Sequence, residues 1–415
     1  MNVYKRENYL QLIRGFYHDC DLIKVITGVR RCGKSCLMNS IAQELRESGV
    51  EESRIVYLDL DLRKHRKVKT ADQLEALIDG LTSETGKTYL FIDEIQNVAD
   101  FEEVINAFRG EGRHSIFITG SNSYLLSGEL VTKLTGRYIE FEMFPLTFDE
   151  YLGMKGFLGK TISPNLVSEF DLFLRQGGFP KAVQYDNPED RRSYVRSVID
   201  EIFQKDIKRR IKIRNVAAFQ SVQTYLINNF GATTSLSNLV DDLGKAGIHI
   251  KRETLNRYIT ILKDAKILYE CNRFDLKSRR SIGGEQKFYL SDLGFYFTTN
   301  TDNRINYGPA LENAVYVYAR THGYSASIGR IGSLECDFIL RRSDADYAYA
   351  QVAMSMMSDK STEDREYTPL EKIRDNYPKF ILTRDDPIQK RNGILHVNLP
   401  DFMRQGQLFT SSTRP

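Results

Sequence analysis

The sequence predicts an α/β fold that starts with a parallel sheet carrying a phosphate-binding loop. Three observations carry that expectation. Ile23 to Thr27 is an apolar, β-branched run that reads as a buried strand, and Gly28 to Ser35 directly after it fits G-x-x-x-x-G-K-[ST], the P-loop pattern. Leu37, Ile41 and Leu45 then recur at helical spacing until Gly49, so the loop opens a helix. Tyr89-Leu90-Phe91-Ile92-Asp93-Glu94, about sixty residues on, is a second apolar run that ends in two carboxylates, the Walker B pattern.

The residue types in the loop have physical reasons. Gly28 and Gly33 close the chain around an anion without a Cβ in the way. Backbone N–H groups from Val29, Arg30, Arg31, Cys32 and their neighbours through Cys36 make an anion nest, and the helix N-terminus adds its own preference for negative charge. Lys34 supplies a point charge for β- and γ-phosphates, and the Ser35 hydroxyl is a ligand for Mg²⁺. Asp93, at the tip of the other strand, holds the same Mg²⁺ through water, and Glu94 polarises the attacking water. The expected ligands are therefore ATP and Mg²⁺.

Composition excludes several classes. With 415 residues the chain has room for two to four domains. A net charge of +3 gives no bulk field for a nucleic acid or a membrane. Five cysteines without a C-x-x-C pair argue against disulfides and zinc, which points to a reducing, cytoplasmic setting. No apolar window is long enough to span a bilayer, and Met1 to Tyr17 lacks the apolar core of a signal peptide.

The other elements follow in order. Asn8 to Tyr17 reads as a short helix packed on the core. Arg54 to Leu60 is a second strand. After it comes Arg63-Lys64-His65-Arg66-Lys67-Val68-Lys69, the densest basic run, and then a helix from Thr70. This strand, lying between the two Walker strands in sequence, suggests the additional-strand (ASCE) class of P-loop proteins. Ser115 to Thr119 is a further strand, with Ser121 or Asn122 at its tip placed to orient the water or to cap a turn. Leu125 to Leu134 is expected to be helical, and Gly136-Arg137 precedes the alternating strand Tyr138 to Met143.

Gly28 to Ser35, Phe91 to Gln96, Thr119 to Ser123, Leu134-Thr-Gly-Arg137, Phe144-Pro-Leu-Thr-Phe-Asp-Glu-Tyr151 and Gly177-Gly178-Phe179-Pro180 together resemble AAA-type ATPases of bacteria and archaea. Those proteins carry a C-terminal domain of unknown function. The resemblance implies ATP hydrolysis and a homo-oligomer with shared ATP sites. In it Arg137 is the arginine finger that reaches a neighbour's γ-phosphate, and the basic loop Arg63 to Lys69 is a pore loop. The implied core is 1–144, and the helix-rich stretch 145–215 resembles the helical lid, with Lys208, Arg209, Arg210, Lys212 and Arg214 on one basic run.

Residues 216–300 have the order of a winged helix-turn-helix. Helices at Val216–Asn229, Leu236–Leu243 and Arg252–Ala265 precede two strands around a Gly283-Gly284 turn. Arg252, Asn256 and Arg257 face a groove, and Lys277, Arg279 and Arg280 lie in the wing; the partner is DNA or a protein. Residues 301–415 resemble the restriction-endonuclease-like fold, with Glu312 on a helix and Asp337 opening a strand. Gln351 and Ala353, however, stand where such nucleases carry an acid and a lysine, which disfavours nuclease chemistry. The leading reading is an ATPase that drives a conformational change in a macromolecular partner. The alternative is a slow ATP-gated switch that docks DNA or protein.

Overall fold

The computed structural model describes residues 3–82, 85–120, 134, 136–208, 213–278, 280–300, 304–343, 346–357 and 360–410. Ser121, Asn122, the helix expected before Leu134, Arg209, Arg210, Lys212 and Arg279 lie outside the described residues. The chain groups into two compact units: Met1–Met143 with Asp264–Lys266, and Phe144–Lys263 with Ile267–Pro415.

The first unit alternates strands and helices. Its elements are α1 (Glu7–Ile13), β1 (Ile23–Gly28), α2 (Lys34–Glu47), β2 (Ile55–Asp59), α3 (Ala71–Asp79), β3 (Thr88–Asp93), α4 (Phe101–Gly110), β4 (His114–Thr119) and β5 (Tyr138–Met143). The short first helix ends at Ile13 and tightens into a 3₁₀ turn at Arg14–Phe16. The five strands run parallel in the order β2-β3-β4-β1-β5. Every residue of β1, β3 and β4 is buried, which is why these strands read as continuous apolar runs and do not alternate. Phe91 and Phe117 stack at 4.7 Å across neighbouring strands. Lys24 is the exception inside β1. Its Nζ donates to Asp19 O at 2.6 Å and Ser115 Oγ at 2.9 Å, and burial pulls its pKa down to about 8.

The second unit opens with α5 (Phe148–Phe157). Thr147 and Glu150 form a capping box, with Thr147 N donating to Glu150 Oε2 at 3.1 Å, so the Leu-Thr-Phe-Asp-Glu stretch is a helix start. Then come α6 (Leu166–Gln176), α7 (Pro180–Val183) and α8 (Pro188–Glu201), the last continuing as a π-helical stretch over Ile202–Lys208. Next are α9 (Val216–Asn228), α10 (Leu236–Lys245), α11 (Arg252–Asp264), β6 (Leu268–Asp275), β7 (Arg280–Leu290), α12 (Gly294–Thr299), α13 (Tyr307–Thr321), β8 (Ser325–Ile331) and β9 (Leu334–Arg341). The chain continues with β10 (Tyr347–Ala353), α14 (Lys360–Glu371), β11 (Lys379–Thr383), β12 (Lys390–Arg391), β13 (Ile394–Asn398) and α15 (Leu399–Arg404). The eight strands from β6 onward make one sheet, ordered β12-β13-β11-β10-β9-β8-β6-β7.

The helix-helix-helix-hairpin order is present, but its hairpin differs from the expected wing. β6 ends at Asp275 and β7 begins at Arg280, and Gly283 and Gly284 lie within β7 where the register slips opposite Asn272 and Arg273. Gly284, at φ 116°, accommodates that bulge. In addition, β6 pairs in parallel with β8 over Arg273–Asp275, so the hairpin belongs to the C-terminal sheet. A boundary drawn at residue 300 therefore crosses one continuous sheet. Among the described residues no helix is long and apolar enough to cross a membrane.

Gly177-Gly178 has a physical role in this unit. Gly178 N donates to Asp292 Oδ2 at 2.6 Å, and Gly294 N donates to Asp292 Oδ1 at 2.7 Å. Gly177 has φ 71°, and a Cβ there would sit 1.9 Å from Asp292 Oδ1; a Cβ on Gly178 would sit 2.1 Å from Leu146 O. Only glycine lets the carboxylate and these backbones approach so closely. Asp292 is buried, and burial raises its pKa to about 7. Between the unfolded carboxylate value and about 7 the folded chain holds the extra proton, so stability falls as pH rises through that window. Urea midpoints measured between pH 5 and pH 8 are expected to fall for wild type by up to roughly 2–3 kcal/mol in unfolding free energy from this group, and to lose that share of the slope in Asp292→Asn. Parallel curves for the two proteins would refute the assignment.

Candidate nucleotide site

The site forms where β1, β4 and β3 end side by side. Because β4 lies between the two Walker strands, Thr119 stands beside both Ile26 and the Asp93 tip. Thr119 Oγ1 donates to Asp93 Oδ1 and accepts from Glu94 N at 3.0 Å, so one hydroxyl positions both acids. Asp93 is buried at this junction.

The loop after β1 takes the conformation its glycines allow. Gly28 has φ 140° and Gly33 φ 115°, while Arg31 takes φ 69°. A Cβ on Gly28 would lie 2.2 Å from Met143 O, which excludes any other residue there. Val29 and Cys32 are buried, Cys32 N donates to Val29 O at 3.2 Å, and Arg6 Nη1 donates to Cys32 O at 3.2 Å, fixing the loop from below. Lys34 is buried and its Nζ donates to Gly28 O at 3.0 Å and Val29 O at 3.3 Å, so the ammonium lies along the inside of the loop. Ser35 and Cys36, on the first turn of α2, are exposed. Gly33 is the residue before α2, so the loop and the helix N-terminus are continuous.

The two loops meet. Arg30 Nη2 is 3.9 Å from Glu94 Oε2, and Gln96 Nε2 donates to the same carboxylate. Glu94 sits at φ 56°, an uncommon backbone state for this residue type, at the functional end of its strand. Tyr57 adds a further contact: its hydroxyl donates to Ser35 O at 3.4 Å, and burial, followed by the Asp93 charge, keeps that phenol protonated by pushing its pKa up. A glycine-lined nest, a lysine on its inner wall, an exposed hydroxyl and a buried acid at the next strand tip form a donor set that fits a triphosphate and its Mg²⁺.

Comparisons with known proteins agree with this geometry. Residues 21–152 match a family model described as an AAA domain, and residues 167–303 match a domain of unknown function, DUF8612. An uncharacterized protein of Haemophilus influenzae is 33% identical over 380 residues, 91% of this chain and 92% of its own length. An uncharacterized protein of Methanocaldococcus jannaschii is 30% identical over 308 residues, 73% of this chain and 67% of its own length. Among solved structures, the Walker-type ATPase PABY2304 of Pyrococcus abyssi superposes with TM-score 0.50 at 13% identity, covering 71% of this chain and 95% of that one. The chain belongs to one family with these two uncharacterized proteins, and its residues 21–152 carry an AAA domain.

Not every expected site residue of this AAA-type protein converges. Arg137 is exposed just before β5, its Nη1 donating to Asn106 Oδ1 at 3.1 Å. Strand β5 runs parallel to β1 with Tyr138 opposite Ile23 and Met143 opposite Gly28. Arg137 is therefore at the opposite end of these parallel strands from the P-loop, six strand residues away, roughly 20 Å. Within one chain it does not reach Glu94. Ser121, the other proposed catalytic residue, lies outside the described residues. The basic run is exposed at Arg63, Lys64, Arg66, Lys67 and Lys69, whereas His65 is buried, with its Nδ1 2.8 Å from Asp59 O. Thr119, Gln96 and Tyr57 are the site residues given no role from the sequence. Thr119 and Gln96 lie within stretches that carry the family resemblance, whereas Tyr57 had no such signal.

The nuclease-like acids take a different form in the AAA-type protein. Lys287, from β7, donates to Glu312 Oε2 at 2.9 Å and stands 3.2 Å from Glu335 Oε1 and 3.8 Å from Asp337 Oδ1. Burial opposes its charge, but the carboxylates of Asp337, Glu312 and Glu335 overcome that and raise its pKa. Asp337 moves the other way from an ordinary carboxylate: burial, then Glu312, push its pKa up. Asp337 N donates to Gln351 Oε1 at 3.3 Å, Val352 N to Asp337 Oδ2 at 2.8 Å, and Gln351 Nε2 to Glu366 Oε2 at 2.9 Å. An ammonium thus reaches these acids and forms ion pairs with them. Among the described residues no group of three or more His, Cys, Asp or Glu side chains is set to hold a metal ion.

Proposed function

We propose that this chain binds and hydrolyses ATP with Mg²⁺ and uses the cycle to change the conformation of a macromolecular partner. The observation that carries the reading is the convergence of the Lys34 loop and the Asp93-Glu94 tip at the C-terminal ends of the strands, with Arg30 and Glu94 3.9 Å apart and Thr119 bonded to both Asp93 and Glu94. Lys34 would move from the loop carbonyls onto the β- and γ-phosphates. Ser35 and Asp93 would hold Mg²⁺, which neutralises charge on the phosphates when bound. Glu94 would take a proton from the attacking water, with Thr119 fixing its backbone.

Arg137, far from its own P-loop, has a role only if a neighbouring subunit brings it to another ATP. A finger supplied in trans is worth on the order of 10³-fold or more in rate. Steady-state ATPase activity per subunit is therefore expected to rise with protein concentration, and Arg137→Ala should remove that rise while leaving nucleotide affinity within about twofold. Activity independent of concentration, with an unaffected variant, would rule out the shared site.

A slow ATP-gated switch is the second reading, favoured by the engagement of Glu94 with Gln96 and Arg30. Glu94 would have to leave these partners before it could act on water, which lowers basal turnover. On α11, Arg252, Asn256 and Arg257 are exposed, as are Lys277 and Arg280 around the hairpin connection. That surface supports docking of DNA or a protein through the helix-hairpin segment.

A further inference from the structure

Strand β2 ends at Asp59, level with Asp93 on the neighbouring strand, and the basic run follows it. Three successive turns shape this loop. Leu62 N donates to Asp59 O at 3.3 Å, His65 N to Leu62 O at 3.0 Å, and Val68 N to His65 O at 2.9 Å. The segment after Glu94 holds both ends: Asn97 Nδ2 donates to Asp61 Oδ1 at 3.3 Å, and Ala99 N to Lys69 O at 2.9 Å. His65 turns inward, and its buried ring donates through Nδ1 to Asp59 O. The loop is therefore a fixed platform, on which Arg63, Lys64, Arg66, Lys67 and Lys69 stand exposed.

No acid occurs between Asp61 and Asp72, so this loop alone carries more positive charge than the whole chain's net +3. Among the described residues none of the five side chains makes an ion pair or a hydrogen bond. Elsewhere exposed arginines meet a carboxylate, as Arg46 does with Glu52 and Arg342 with Asp346. Neighbouring charges on such turns lie closer than the Debye length of about 10 Å at 0.1 M salt, so they repel, and a polyanion laid across them reverses the sign of that interaction.

The chemistry of the loop selects among polyanions. No Phe, Tyr or Trp lies between Leu60 and Thr70, so the loop offers no platform for unstacked bases. Leu62 is exposed beside it, but a protein interface is built around an apolar, aromatic-rich core depleted of charge. A disordered acidic peptide must also be ordered before its charges match a rigid loop. Duplex DNA presents one charge per about 1.7 Å of axis on a stiff surface, with its bases already stacked.

We propose that the loop Arg63 to Lys69 docks on the phosphate backbone of duplex DNA. The contact is made by charge and not by base edges, and it needs no ATP hydrolysis. This surface is separate from α11, where Glu253 and Asp264 dilute the cations.

The test is fluorescence anisotropy on the full chain without nucleotide, with a labelled duplex of about 20 base pairs, between about 50 and 200 mM salt. An oligothymidine single strand and a poly-glutamate peptide of the same length are the other probes. The duplex is expected to bind more tightly than either, with log K falling against log salt at a slope of about −3 to −4. The paired variants Lys64→Gln with Lys67→Gln, and Arg63→Gln with Arg66→Gln, are each expected to reduce that slope by about 1–2 and to weaken binding at least about tenfold at 0.1 M salt. All four positions are exposed, so the melting temperature should stay at the wild-type value. No duplex binding at the lowest salt, tighter binding of the single strand or of poly-glutamate, or affinity and slope unchanged in both paired variants, would overturn the proposal.

Discussion

Lys34→Ala is expected to lower ATP affinity about 100-fold or more, measured by equilibrium binding of a fluorescent ATP analogue, and to remove hydrolysis with it. The ammonium lies along the inner wall of the loop, on Gly28 O and Val29 O, where the β- and γ-phosphates would enter. It is buried, so its charge is poorly screened by solvent. A hydrogen bond to a charged group is worth about 1.5–3 kcal/mol, and this lysine serves two phosphates, which gives the stated factor. The rest of the loop is held by Arg6 on Cys32 O and by the glycine backbone, so the variant should keep its fold. Unchanged affinity in Lys34→Ala would remove the basis for a phosphate site at residues 28–35.

Glu94→Gln is the second large effect, and it separates binding from chemistry. Loss of a general base costs about 10²–10⁴ in rate, so single-turnover hydrolysis should fall by about 10³ with ATP affinity within a few-fold of wild type. Glutamine keeps the shape, and Glu94 N still donates to Thr119 Oγ1, so the loop geometry is preserved. Nucleotide would then be retained as ATP, and a partner that depends on the ATP state should co-purify with this variant. Hydrolysis at the wild-type rate would move the catalytic base to another residue.

Much of the first unit was legible from local pattern. The P-loop and Walker B were readable because each needs a contiguous set of residue types: glycines where φ is positive, a lysine and hydroxyl at a helix start, acids at the tip of a buried run. The strands β1, β3 and β4 were readable because a strand covered on both faces has no polar alternation. The hairpin was less legible. Gly283-Gly284 looks like a turn, yet pairing of β6 with both β7 and β8 makes it a bulge, and no local pattern encodes that competition. Ala353 cannot supply an ammonium, and the one that meets Glu312 and Asp337 comes from Lys287, on a strand read from the sequence as part of the wing.

The sequence by itself picked out the residues of the candidate phosphate and metal site, because that chemistry is written in short spacings that fix backbone geometry directly. Only the tertiary structure decided that β4 inserts Thr119 between the two Walker strands, that Arg137 stands at the opposite end of the strands, and that Lys287 pairs with Glu312, Glu335 and Asp337. These depend on strand order and long-range pairing. That energy comes from burying whole faces together, and no single stretch of chain records it.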